Sequence, residues 1–134
     1  MSEAENTPVQ TNLPDCEVAF LNECDLRVVN GGNWLQLATF SASVAYEGQP
    51  VHIIEVPAGT LTDLASVPRW LPYAYAIFGG RGRKAAVLHD WLCRNGVDRK
   101  FADAVFWGAL VAEEGPVVAS AMWTAVRAYS SITT

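Results

Sequence analysis

The apolar residues of this chain change their period once, and that change limits the folds open to it. Up to about residue 62 they tend to alternate; from Arg83 onward they recur every three or four positions. Alternation distributes side chains over the two faces of a strand, whereas the longer spacing lays a stripe along one side of a helix. Strands followed by helices, rather than alternating with them, predict an α+β fold. The expected architecture is an N-terminal antiparallel β meander packed on a C-terminal three-helix unit.

The local signals agree. Residues 25–29 lead into Asn30-Gly31-Gly32-Asn33, a strong hairpin turn because glycine accepts positive φ. Residues 34–46 set Trp34, Gln36, Ala38 and Phe40 against Leu35, Leu37, Thr39 and Ser41, which predicts one long strand, bent or bulged. Glu47-Gly48-Gln49-Pro50 is the next turn, and residues 51–56 form a short strand ending at Pro57-Ala58-Gly59. Residues 60–82 are irregular, with Pro68, Pro72 and several glycines; a loop this long inside a domain usually serves a function. Three helices follow. The first runs over residues 83–95 with Gly96 as its C-terminal cap. The second starts after a capping Asp98 and stops at Gly115. The third begins at Pro116 and runs to about residue 130. Connections this short favour antiparallel neighbours.

A chain of 134 residues fits a single domain over residues 16–134, preceded by an extended acidic tail at residues 1–15. The tail is polar, contains Pro8 and Pro14, and is expected to lie extended against a neighbouring chain. Of the 14 acids, six fall within residues 1–25, which hold no Lys or Arg; the remaining eight face all nine bases. This distribution leaves no basic footprint for nucleic acid. Arg81, Arg83 and Lys84 form a basic knot of the kind usually found as a solvated helix start. Only 17% of residues are charged and 51% are hydrophobic, so either part of the surface is covered by a partner or a helix-rich core absorbs the excess. Three cysteines without CxxC spacing argue against a disulfide framework or structural zinc, and fit synthesis in a reducing compartment. The polar first residues do not resemble a secretory signal, and no run reaches the roughly 18 apolar residues of a membrane span.

The candidate site residues are Asp63, Ser66, His89, Asp90 and Asp103. His89 and Asp90 sit among Ala85, Ala86, Val87, Leu88 and Leu92, where a carboxylate needs a partner. Asp103 lies among Phe106, Trp107 and Leu110 on the next helix, within reach of His89 if the two helices run antiparallel. A carboxylate beside an imidazole fixes its tautomer and raises its basicity, so His89 with Asp103 could serve as a general base. The plain alternatives are structural: a carbonyl partner for His89, loop amides or an arginine for Asp90, Arg99 or another arginine for Asp103. Asp63 and Asp90 with loop carbonyls would suit a hard divalent cation, although no cofactor is required. Ser66 could be a nucleophile only within hydrogen-bond reach of His89, and its surroundings are not a GxSxG elbow. Trp70, Tyr73, Tyr75 and Phe78 put aromatic rings on the long loop, which marks residues 70–80 as the expected contact surface.

Four blocks, in order, carry a family resemblance: VPAGTLTDLASVPR at 56–69, AAVLHDWL at 85–92, RKFADAVF at 99–106 and MWTAVR at 122–127. Together they resemble the phage-associated family known as domain of unknown function 1353. The chain departs from that pattern at Cys93, where the family often has tyrosine. The family's His-Asp-x-x-Tyr pattern also resembles that of secreted phospholipases A2, which pair a histidine with an aspartate from another helix and bind calcium through the adjacent aspartate. The disulfide framework of those enzymes is missing here. The resemblance implies a bacteriophage or prophage origin and no set activity. It leads to two expectations. One is a virion-associated interaction protein (tail, baseplate or capsid-decorating), made in the host cytoplasm and bound to other phage structural proteins through residues 1–15 and the 70–80 loop. The other is a small phage hydrolase centred on His89 and Asp103, with or without a metal. A ring nitrogen of His89 opening to a cleft favours the enzyme; two nitrogens bonded internally favour the scaffold.

Overall fold

The computed structural model describes residues 13–29, 33–62 and 81–133, with side chains up to Thr124. Six strands precede three helices: β1 (Cys16–Phe20), β2 (Leu26–Val28), β3 (Trp34–Gln36), β4 (Phe40–Tyr46), β5 (His52–Val56), β6 (Leu61–Thr62), α1 (Arg83–Arg94), α2 (Arg99–Glu114) and α3 (Pro116–Thr133). The class is α+β, with antiparallel strands in the N-terminal half and helices in the C-terminal half.

The strands divide into two small sheets, ordered β1-β4-β5 and β2-β3-β6. The alternating segment 34–46 is therefore not one long strand. It breaks at residues 37–39, and its two parts, β3 and β4, belong to different sheets. Gln36 is the node of the break. Its side chain is almost fully buried, and its Nε2 donates to the Ala38 carbonyl at 3.0 Å and the Asp25 carbonyl at 3.4 Å. Its backbone N–H donates to Thr60 O and its carbonyl accepts from Gly59 N–H, so the backbone stays paired as the strand ends. The β4–β5 turn falls at Glu47 and Gly48, both with positive φ, as a tight hairpin turn requires. Val29 and Asn33 pair across the β2–β3 hairpin at 2.8 Å; the intervening residues 30–32 lie outside the described set. So do residues 1–12 of the tail and residues 63–80, including Asp63, Ser66, Trp70, Tyr73, Tyr75 and Phe78. The inner end of the tail is attached: Leu13 packs on the core, and the Asp15 carbonyl accepts from Glu47 N–H at 3.1 Å.

Helix α2 is the centre of the molecule. Its residues Ala102 to Leu110 are all buried, because it packs on α1, α3 and β1 at once. Gly108 permits the contact with β1: a Cβ there would lie 2.8 Å from Cys16 O and 2.9 Å from Val18 Cγ2. Phe40, Val44, Val56, Val87, Leu88, Val105, Phe106 and Leu110 fill the space between sheet and helices.

The basic knot at the start of α1 is solvated as expected, with Arg81 and Arg83 exposed and Lys84 half-buried, but the amides of the first turn are not left to water. Gly82 occupies the N-cap with φ of 69°, offers no capping side chain, and no acid lies in the first turn. The free N–H groups are satisfied from the far end of α2. Glu114 accepts from Gly82 N–H at 3.0 Å, and Glu113 accepts from Lys84 and Ala85 N–H at 3.0 and 3.2 Å. Burial raises the pKa of the Glu113 carboxyl, and the two backbone bonds oppose the shift. Arg83 and Lys84 reach sideways over the rings of Trp34 and Phe20, at 5.5 and 4.8 Å, and so cover aromatic surface of the β half.

Candidate functional site

Helix geometry brings His89 and Asp103 together. α1 ends at Arg94, with Asn95 as its C-cap and Gly96 at φ of 75°, and Asp98 caps α2 by accepting from Phe101 N–H at 3.3 Å. His89 lies about 7 Å back along α1 from its end, and Asp103 about 6 Å along α2 from its start, at about 1.5 Å per residue. In an antiparallel pair those positions are level.

His89 Nε2 lies 2.7 Å from Asp103 Oδ1. The carboxylate is almost fully buried, and the His89 side chain is 15% exposed. Phe106 packs against the imidazole with ring centroids 5.2 Å apart. Burial disfavours a charged ring, but hydrogen bonds to Asp103 and Cys93 outweigh it and push the His89 pKa up to about 9. At neutral pH the ring is an imidazolium whose Nε2–H donates to Asp103, and the 2.7 Å length is that of a charge-assisted bond. Among the described residues, Nδ1 has no hydrogen-bond partner.

Asp90 Oδ2 accepts from Arg94 Nη1 at 3.0 Å, one turn along α1. The same Nη1 donates to the Leu61 carbonyl. Arg94 thus ties α1 to β6, at the point where the chain runs on toward Asp63. Among the described residues, no group of three His, Cys, Asp or Glu side chains could hold a metal ion. Asp63 and Ser66 lie outside the described set.

Two participants escape a reading that stops at histidine and acids. One is Arg94. The other is Cys93, whose Sγ lies 3.8 Å from His89 Nε2. Burial raises its pKa, but the His89 bond and the charges of His89 and Arg99 bring it below the ordinary thiol value, against opposition from Asp103. The i, i+4 spacing from His89 was the available signal. The site is therefore a buried carboxylate, an imidazolium and a thiol on one nitrogen. It can hold a positive charge in the core, donate a proton, or stabilise a thiolate.

No curated protein and no solved structure matches the chain. One family model does match, over residues 38–126, and it takes in β4, β5, the first three of the four blocks and all of the fourth but Arg127. The chain belongs to the family described as protein of unknown function (DUF1353).

Proposed function

We propose that this chain is a bacteriophage virion-associated interaction protein, a tail, baseplate or capsid-decorating component. The observation that carries this reading is the outer face of the β1-β4-β5 sheet. Pairing aligns Ala19 with Ser43 and Ser43 with Ile53, and Glu17 with Ala45 in the next row. Ala19, Val51 and Ile53 are exposed, as is Leu21 just beyond β1. The alternate residues Val18, Ala42, Val44, Ile54 and Val56 face the core. The outer face is thus built from small and apolar side chains, with Glu17 and Glu55 as the charges on its strands. Such a patch marks an interaction site, and its acidic rim suits a partner whose apolar patch is bordered by Lys or Arg. The phage context rests on the family resemblance. The His89–Asp103 pair, with Nε2 satisfied inside the protein, fits a pin between α1 and α2 that holds this platform rigid.

The test is mass spectrometry of purified virions beside the infected-cell lysate. We expect the protein in the particles, and expect Ile53→Asp to fold but to be lost from them. A protein confined to the lysate would overturn the reading.

One observation favours the second reading, a small hydrolase: Nε2 is held by a buried carboxylate, while Nδ1 has no described partner on a ring that is partly exposed. Nδ1 would then be the nitrogen that takes a proton from water. With a pKa of about 9, the neutral ring needed for this grows in as the pH rises toward that value. Ester or amide turnover that rises with pH and drops about 10²–10⁴-fold in His89→Gln would support it; turnover unchanged by that substitution would exclude it.

A further inference from the structure

We propose that Cys93 is a nucleophilic thiol, a site of covalent oxidation by hydroperoxides that is prepared by the His89–Asp103 pair one helical turn before it. Neither the platform nor the hydrolase reading uses this atom.

The geometry differs from that of a relay. Where a histidine passes protons between a nucleophile and a carboxylate, the two partners take opposite nitrogens of the ring. Here Cys93 Sγ and Asp103 Oδ1 approach the same nitrogen, at 3.8 and 2.7 Å. Asp103 keeps the ring charged, and the charged ring is a standing counter-ion for a thiolate. The thiolate, not the thiol, is the nucleophile. Among the described residues, the charged groups acting on Cys93 are His89 from its own helix and Arg99 and Asp103 from α2; the two cations outweigh the carboxylate. Cys93 is also only partly buried, so a small oxidant can reach it.

The other two cysteines provide the contrast within the same molecule. Cys16 is buried in β1, and burial with nearby Asp15 and Glu17 pushes its thiol up to about 12. Burial is also the largest influence on Cys24, which is pushed up to about 11. Neither lies beside an imidazolium.

The reaction is a displacement. The Cys93 thiolate attacks one oxygen of the hydroperoxide, an S–O bond forms and the O–O bond breaks. The sulfur is oxidised to the sulfenic acid and the peroxide is reduced. The departing hydroxide or alkoxide takes a proton, which the His89 imidazolium can supply, and leaves as water or alcohol.

The experiment exposes the whole native chain to hydrogen peroxide at pH 7 with dimedone present to trap sulfenic acid, then maps adducts by peptide mass spectrometry. We expect Cys93 to be labelled at least about tenfold faster than Cys16 and Cys24. Comparable labelling of all three cysteines in the folded protein, or slower labelling of Cys93, would overturn the proposal. A second arm follows iodoacetamide alkylation of Cys93 against pH in the parent and in His89→Gln, with folding checked by circular dichroism. The proposal requires the Cys93 midpoint to move to higher pH in the folded variant, because glutamine supplies no positive charge beside the sulfur. An unmoved midpoint in a folded variant would overturn it. The comparison of three thiols within the parent protein decides the matter even if the variant fails to fold.

Discussion

The helical half and the β half handle their apolar side chains differently. Among the described residues, the three helices leave one large apolar side chain well exposed, Val117. The strands and their connections leave six: Leu21, Val28, Leu37, Val51, Ile53 and Leu61. The treatment of polar groups also differs. The helical half buries the carboxylate of Asp103 against the partly exposed His89, whereas the β half buries the neutral Gln36 and Thr62. The helices thus complete their own core and place the carboxylate of an ion pair inside it. The sheets complete one face and leave the other open. A burial pattern this uneven separates a region that closes on its own core from one that keeps an apolar face at the surface.

The largest effect that tests this contrast is removal of the ion pair. His89→Ala or Asp103→Ala removes one member of the pair, and each should lose about 3–5 kcal/mol in a denaturant melt. The double variant should lose less than the sum, because both belong to one pair. If both single variants melt like the parent, the helical half does not depend on this pin.

The next effect is pH-dependent. The His89 pKa is raised from 6.5 to about 9 in the folded protein, so the folded state holds the proton more tightly. That stabilisation is complete below about pH 6.5 and is lost as pH rises through about 9, a change on the order of 3 kcal/mol. Cys93 works in the opposite sense at the upper end, since its thiol ionises more readily when folded. Melts of the parent between pH 6 and 9 should therefore show a decline, offset in part by Cys93 at the upper end, and His89→Gln should flatten it.

A smaller effect concerns the seam between the halves. Gly108→Val brings methyl groups against Cys16 O and Val18. Forcing volume into such a contact should cost about 1–3 kcal/mol. A wild-type melting temperature would mean that α2 and β1 can separate without penalty. Smallest of all is Ile53→Asp on the open sheet face, which should change stability by less than about 0.5 kcal/mol. If the proposed function holds, its effect should appear in assembly, as loss from virions. Strong destabilisation would show that this face is already part of the core.

The helical half was largely legible in the sequence. Gly96, Asp98, Gly115 and Pro116 punctuate it, and the short α1–α2 connection makes the two helices antiparallel, which places His89 level with Asp103. The β half was less legible, for a physical reason. Alternation reports which face of a strand a residue occupies, not which strand receives its hydrogen bonds. Trp34, Gln36 and Phe40 are buried but Ala38 between them is exposed, so the alternation of burial breaks at residues 37–39, where the backbone passes from one sheet to the other, while the alternation of residue types runs on. The thiol of Cys93 is legible only through its position one turn beyond His89 on the same helix face, since a lone cysteine carries no motif of its own.

The carboxylates that close the first turn of α1 bear on the order in which the molecule assembles. They arrive 28 to 32 residues after the amides they receive. As the chain leaves the ribosome, α1 therefore emerges with its leading amides unanswered and remains frayed until α2 has been made and has folded back. A long-range contact thus replaces local nucleation at this helix start. The amides of Lys84 and Ala85 should then exchange hydrogen at the rate at which α1 and α2 come apart, rather than at the faster rate of an ordinary helix end.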